Sequence, residues 1–217
     1  MKAINVVIQA MSATSMNSNP PIRRPDEVTG VILAGGKSTR YGRNKAFACI
    51  DGVPLIERVI QVMKAVFADL LLITNTPREY AHLGLPMVED LIKGLGPLGG
   101  IYTGLNSISG SAGFFVACDM PFLNPSLIGR IVALRADSDA VVPRVGKWVE
   151  PLHALYAKTC LGAIEELIRS GNIQILQFFL KVRIRYVEEE LMRAFDPQLR
   201  CLANVNRPED LPPSGSV

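Results

Sequence analysis

Two adjacent glycines followed by basic residues are the first place where this chain could do chemistry. The stretch Leu33-Ala34-Gly35-Gly36-Lys37-Ser38-Thr39-Arg40-Tyr41-Gly42-Arg43-Asn44-Lys45 directly continues an apolar run that begins at Val28. Glycine lets a backbone approach a ligand closely, and its N–H can point at an anion. Arg40 and Lys45 supply cations suited to a polyphosphate. The spacing is neither G-x-x-x-x-G-K-[ST] nor G-x-G-x-x-G, so neither a P-loop ATPase nor a Rossmann dehydrogenase is supported. A plain strand-to-helix turn with surface basic residues is the other reading of the same letters.

Further candidates recur after other apolar runs. Cys118-Asp119-Met120-Pro121 puts a carboxylate just past such a run. Mg²⁺ takes one or two carboxylates plus substrate phosphate oxygens, so Asp119 suits a metal ligand. Its alternative is an N-cap for a helix near Pro125. Asn75, in Thr74-Asn75-Thr76-Pro77, can hydrogen-bond a base or sugar, or close an Asx turn. Asp90 precedes Gly94-Leu95-Gly96-Pro97-Leu98-Gly99-Gly100 and can accept from a guanine edge or a ribose, or be a solvated loop acid. Asn206 suits a helix cap before Pro208 and can face a site as well. The two histidines, His82 and His153, have no nucleophile partner in sequence and receive no catalytic role.

The elements that must position these residues alternate between strand and helix. Continuous apolar runs predict buried strands over 28–34, 70–74 and 113–117, with others at 139–142, 149–156 and 201–205. Helical stripes cover 54–67, 97–109, 125–136 and 160–170, the last stopped by Gly171. Alternation of Val182, Ile184 and Tyr186 with Arg183 and Arg185 predicts a half-exposed strand near an edge. Strands apolar on both faces need helices on both faces. The expected fold is therefore α/β: a single doubly wound, mostly parallel sheet, Rossmann-like in layout. Ligands in such sheets sit beyond the carboxyl ends of the strands, where the candidates lie.

The 217 residues are enough for one large domain, expected over 28–211. Residues 1–27, rich in Ser, Asn, Met and Pro, read as a flexible extension, and 212–217 as a flexible tail. Net charge is +3, from 23 basic and 20 acidic residues, which excludes a polybasic nucleic-acid binder and leaves room for a small anionic ligand. Mean hydropathy is +0.24. No uninterrupted run of about eighteen apolar residues occurs, so no membrane-spanning helix is expected. The four cysteines form no C-x-x-C pair, which argues against a zinc knuckle or a disulfide scaffold and for a reducing cytoplasm.

Placed in order, these segments resemble the nucleotidyltransferases of the glycosyltransferase-A-like superfamily and, more narrowly, the molybdenum cofactor guanylyltransferases. The resemblance rests on Leu33-Ala34-Gly35-Gly36, Ser38, Arg40, Gly42, Lys45, Asp51-Gly52, Pro54-Leu55, Asp90, Gly96-Pro97-Leu98-Gly99-Gly100, Cys118-Asp119-Met120-Pro121 and Asn204-Val205-Asn206-Arg207-Pro208-Glu209-Asp210-Leu211. It spans roughly 28–211. Related cytidylyltransferases usually read Leu-Ala-Ala-Gly at the first loop, so Gly35-Gly36 together with Gly96-Pro97-Leu98-Gly99-Gly100 favours guanine over cytosine. Tyr41 stands where methionine is common, and Asn44 where aspartate often precedes the lysine.

The resemblance implies transfer of GMP from GTP to the terminal phosphate of molybdopterin, the molybdenum cofactor, with pyrophosphate released and Mg²⁺ required. It implies Arg40, Lys45 and Asp119 in catalysis, with Asp119 on the metal and Asn206 beside it. Leu33, Ala34, Gly35, Gly36, Asn75 and Asp90, with Lys45 and Asp119, would bind the nucleotide. Other cofactor-biosynthesis proteins or acceptor molybdoenzymes would be its partners. Two alternatives stand beside it: a CTP-dependent or other nucleotidyltransferase on this fold, and a GTP-binding adaptor without catalysis.

Overall fold

The computed structural model describes residues 28–35, 44–205 and 210, so the expected extension 1–27 and tail 212–217 lie outside the described residues. In chain order the elements are β1 (Val28–Leu33), β2 (Cys49–Ile50), β3 (Val53–Pro54), α1 (Leu55–Val66), β4 (Leu70–Ile73), α2 (Pro77–Tyr80), β5 (Met87–Val88) and α3 (Gly96–Ser107). Then come β6 (Ala112–Ala117), α4 (Pro125–Ala133), β7 (Ala140–Val145), β8 (Trp148–Val149), β9 (His153–Ala157), α5 (Leu161–Arg169), α6 (Ile175–Phe178), β10 (Ile184–Glu188) and α7 (Glu189–Arg193).

One eight-stranded sheet organises them in the order β10-β7-β9-β6-β1-β4-β5, with β8 on β7. β1 lies parallel between β4 and β6, and β4–β5 and β7–β10 are also parallel. Successive strand residues point to opposite faces. Ile32, Phe114 and Leu155 therefore pack on α1 and α4, while Val31, Phe115 and Tyr156 pack on α3 and α5. The doubly wound, mostly parallel architecture expected from the apolar runs is present.

β9 runs antiparallel to both neighbours. Seven residues (146–152) separate β7 from β9, and β8 occupies two of them. A parallel crossover needs a dozen or more, so the chain turns back on itself. The edge expectation for the arginine-alternating strand holds, with β10 closing one side of the sheet.

Residues 201–205 correct an expectation. They form no strand: Arg200–Leu202 is a 3₁₀ turn, and the chain continues unpaired to Val205. Both sides of β6 are already occupied, by β1 and β9. The segment instead crosses the carboxyl edge, where the Val205 N–H donates to the Asp119 carbonyl at 2.9 Å. The β2–β3 hairpin, not anticipated from the apolar runs, turns at Asp51-Gly52, whose φ values of 50° and 78° suit a two-residue turn.

Candidate active site

β1, β4, β5 and β6 all end at one edge of the sheet, and a cleft of about 960 Å³ opens there. Its floor continues the sheet. The Ala34 N–H reaches the Ile73 carbonyl (2.8 Å), and the Cys118 N–H reaches the Leu33 carbonyl (3.1 Å). Leu33, Ala34 and Gly35 line the cleft, and a Cβ on Gly35 would meet nothing within 4 Å. The backbone is thus bare to a ligand at the point where the glycines were expected to serve one. Gly36, Arg40 and Asn206 lie outside the described residues.

Lys45 and Asp119 are 74 residues apart in sequence and form an ion pair on this floor. Asp119 sits just beyond β6 and is 5% exposed. The alternative role for it as a helix cap falls away. Asn124 caps α4 instead, its Oδ1 accepting from the Leu127 N–H at 3.0 Å. Asn44 caps the 3₁₀ turn Lys45–Phe47 through Ala46 N–H at 3.1 Å. Its amide nitrogen donates to Glu79 Oε2 at 2.7 Å and to the Tyr80 hydroxyl at 2.8 Å. The lysine is therefore anchored to α2, an attachment for which the sequence carried no signal beyond the polar type of residue 44.

At the other end of the cleft Asn75 and Asp90 hold each other. Asn75 Nδ2 donates to Asp90 Oδ2 at 2.7 Å, and the Asp90 N–H donates back to Asn75 Oδ1 at 3.2 Å. The alternative of an Asx turn at Asn75 is not taken: Thr74 serves there, its hydroxyl accepting from the Thr76 N–H at 3.2 Å. Asp90 Oδ1 is shielded from solvent and has no hydrogen-bond partner, which leaves an acceptor for an incoming donor. Thr74, Thr76, Glu79, Tyr80, Leu152 and Asn204 also line the cleft. Apart from Asn204, which the motif around Asn206 includes, the sequence assigns these no role, because their types are common and only the fold gathers them.

The buried Cys118 and His153 are a poor nucleophile and a poor base. Burial pushes the Cys118 thiol up to about 12. Burial lowers His153 to about 4, so its ring is neutral at pH 7, packed edge-on to Phe114 at 5.4 Å. Burial, and then the Asp119 charge, raise Glu150. No group of three or more His, Cys, Asp or Glu side chains gathers among the described residues. Asp119, a single buried carboxylate at the cleft floor, has the donor chemistry of a site where Mg²⁺ takes one carboxylate and substrate phosphates.

The model of the MobA-like NTP transferase domain matches residues 30–186. The chain belongs to that family. A probable molybdenum cofactor guanylyltransferase of Pelotomaculum thermopropionicum is 40% identical to this NTP transferase over 185 residues, 85% of this chain and 90% of that one. A molybdenum cofactor guanylyltransferase of Desulfosudis oleivorans is 40% identical over 188 residues, covering 86% and 93%. Among solved structures, molybdopterin-guanine dinucleotide biosynthesis protein A of Archaeoglobus fulgidus superposes with a TM-score of 0.74 at 27% identity, covering 84% of this chain and 94% of that one. The enzyme class expected from the ordered motifs, a nucleotidyltransferase, is that of the family. No helix among the described residues is long and apolar enough to cross a membrane.

Proposed function

We propose that this enzyme transfers GMP from GTP to the terminal phosphate of molybdopterin. An oxygen of that phosphate bonds to the α-phosphorus of GTP. The bond from the α-phosphorus to the α–β bridging oxygen breaks, and pyrophosphate leaves with the electron pair. The observation that carries the reading is the Lys45–Asp119 ion pair at the carboxyl edge of the central strands. It stands in a cleft whose far end holds the Asn75–Asp90 pair. Naming of the 40% identical relatives supports GTP and molybdopterin as the substrates.

The roles follow from charge. Two anions must meet, so their repulsion has to be neutralised. Lys45 holds the triphosphate, and the bare backbone at Gly35 lets the nucleotide lie against the sheet. Asp90, fixed by Asn75, accepts from the nucleoside through its unpartnered Oδ1. Asp119 would hold Mg²⁺, and when bound the ion supplies Lewis acidity and a template for the phosphates. Arg40 would neutralise the departing pyrophosphate, Gly36 would extend the phosphate-facing backbone and Asn206 would support the metal side. The nucleophile is already an anion and needs no general base, in keeping with a neutral His153 and a protonated Cys118. The four free cysteines accord with a reducing cytoplasm, where the proteins that deliver molybdopterin and receive the product would also be found.

The test is pyrophosphate release with molybdopterin and Mg²⁺, run in parallel with GTP, CTP, ATP and UTP. Release with GTP alone, giving a guanine-containing product by mass spectrometry, is expected. Release with CTP alone overturns the base assignment, and silence with all four from folded protein leaves a binding-only adaptor. Asp119→Asn should lower turnover by about a hundredfold or more while the protein stays folded.

A further inference from the structure

The half-buried Arg200 makes no ion pair among the described residues. Its guanidinium lies over the Phe122 ring, 4.3 Å from the centroid. Stacking fixes the plane of the head group but leaves its N–H fork available. Neither Arg200 nor Phe122 is among the residues that line the cleft, but both belong to segments that adjoin it. Phe122 follows Asp119 by three residues, which span at most about 11 Å. Arg200 opens the turn whose continuation returns to Asp119, through the Val205 N–H to Asp119 carbonyl bond of 2.9 Å, and Asn204 of the same stretch lines the cleft.

The turn itself is held under strain. Leu199, just before Arg200, has φ of 53°, a region that a leucine adopts only when its surroundings force it. The Cys201 N–H is clamped by Asp196 Oδ2 at 2.7 Å. Asn124 Nδ2 adds a bond to the Phe195 carbonyl at 3.0 Å, tying the same segment to the start of α4. The turn packs into the core through the buried Cys201, with Leu199 and Leu202 against it, and the same constraint holds Arg200 over Phe122.

Charge then says what ligand Arg200 would suit. The nucleoside pair Asn75–Asp90 follows β4 and β5, on one side of β6. Lys45 is engaged with Asp119. An acceptor phosphate approaching the α-phosphorus opposite the leaving pyrophosphate needs its own cation. We propose that Arg200, stacked on Phe122, binds the terminal phosphate of the acceptor. This inference rests on the acceptor named under the proposed function, a phosphate monoester on a pterin.

The test is a thermodynamic cycle between the arginine and that phosphate, read by equilibrium dialysis without nucleotide. Wild-type protein and Arg200→Gln are each titrated with molybdopterin and with its dephosphorylated form. Arg200→Gln should weaken molybdopterin binding about tenfold or more. It should leave the dephosphorylated ligand and GTP unaffected. Arg200→Lys should recover part of the loss, because the charge returns without the flat fork. If Arg200→Gln fails to fold, Phe122→Leu carries the same cycle by removing the platform under the guanidinium. Equal affinities for wild type and variant overturn the proposal, as does an equal loss for both ligands, which would make the stack merely structural. Wild-type protein that binds molybdopterin in this phosphate-dependent way yet transfers only from CTP refutes the GTP reading and sustains Arg200. Wild-type protein that binds no molybdopterin refutes both.

Discussion

At the scale of the residue, Asn44 shows how a neutral side chain holds Lys45 in place. It uses both ends of its amide, accepting from Ala46 and donating to Glu79 and Tyr80. Members of the resembled family often carry aspartate there. In this chain a carboxylate would meet the Glu79 carboxylate across a contact that is now 2.7 Å. Asn44→Asp should therefore cost about 1 kcal/mol of stability and raise the KM for GTP. The double variant Asn44→Asp, Glu79→Gln should regain most of both, because one amide donor is restored. Denaturant unfolding and initial rates for the three variants would check this. Lack of recovery in the double variant would show that Glu79 is not the reason for an amide at position 44. Nothing about Asn44 alone announced this, since its partners lie 35 and 36 residues away.

Among the elements, α3 packs tightly on the sheet at its glycines. A Cβ on Gly104 would fall 2.5 Å from Phe115 Cε1 and 3.1 Å from Val31 Cγ1, atoms of a packed core rather than of a flexible surface chain. Gly104→Ala should therefore destabilise the protein by about 1–3 kcal/mol, more than the helix gains from alanine. Gly162 in α5 has nothing within 4 Å of its would-be Cβ, so Gly162→Ala should stabilise by about 0.5–1 kcal/mol. Opposite shifts of the two unfolding midpoints are the expected result, and two shifts of the same sign would refute the packing argument. The long elements were legible because each carries its own period. α1 puts Leu55, Ile56, Val59, Ile60 and Met63 on one buried face, and β4 is buried throughout. The two-residue strand β5 carries no period and exists only as a partner for β4.

Across the whole molecule, His153 couples stability to pH. It is completely buried, both ring nitrogens lack hydrogen-bond partners, and its pKa is lowered to about 4 from an ordinary 6.5. The unfolded chain binds the proton more readily than the folded one. Stability from the neutral ring is fully present above about pH 6.5 and is lost as pH falls toward about 4. The loss amounts to about 3 kcal/mol once both states are protonated. His153→Phe should flatten that part of the profile, followed by circular dichroism at pH 7, 6, 5 and 4. An unchanged slope would mean that other groups drive the acid transition. Trp148, the only tryptophan, is 82% exposed, so its fluorescence is a poor reporter of this unfolding.

Some of this protein was decided within short stretches of chain. Buried strands before Gly35 and Asp119, the helices between them and the glycine-rich approach to α3 follow from local apolar pattern and turn chemistry. Those are near-neighbour effects, which a sequence displays directly. Tertiary structure alone decided which side chains meet. It brought Lys45 to Asp119, Asn75 to Asp90 and Arg200 onto Phe122. It also turned 201–205 away from the sheet, because β6 already had two partners. Such meetings depend on strand order and on competition for sheet edges, which are properties of the assembled chain and leave no mark in the spacing of residues along it.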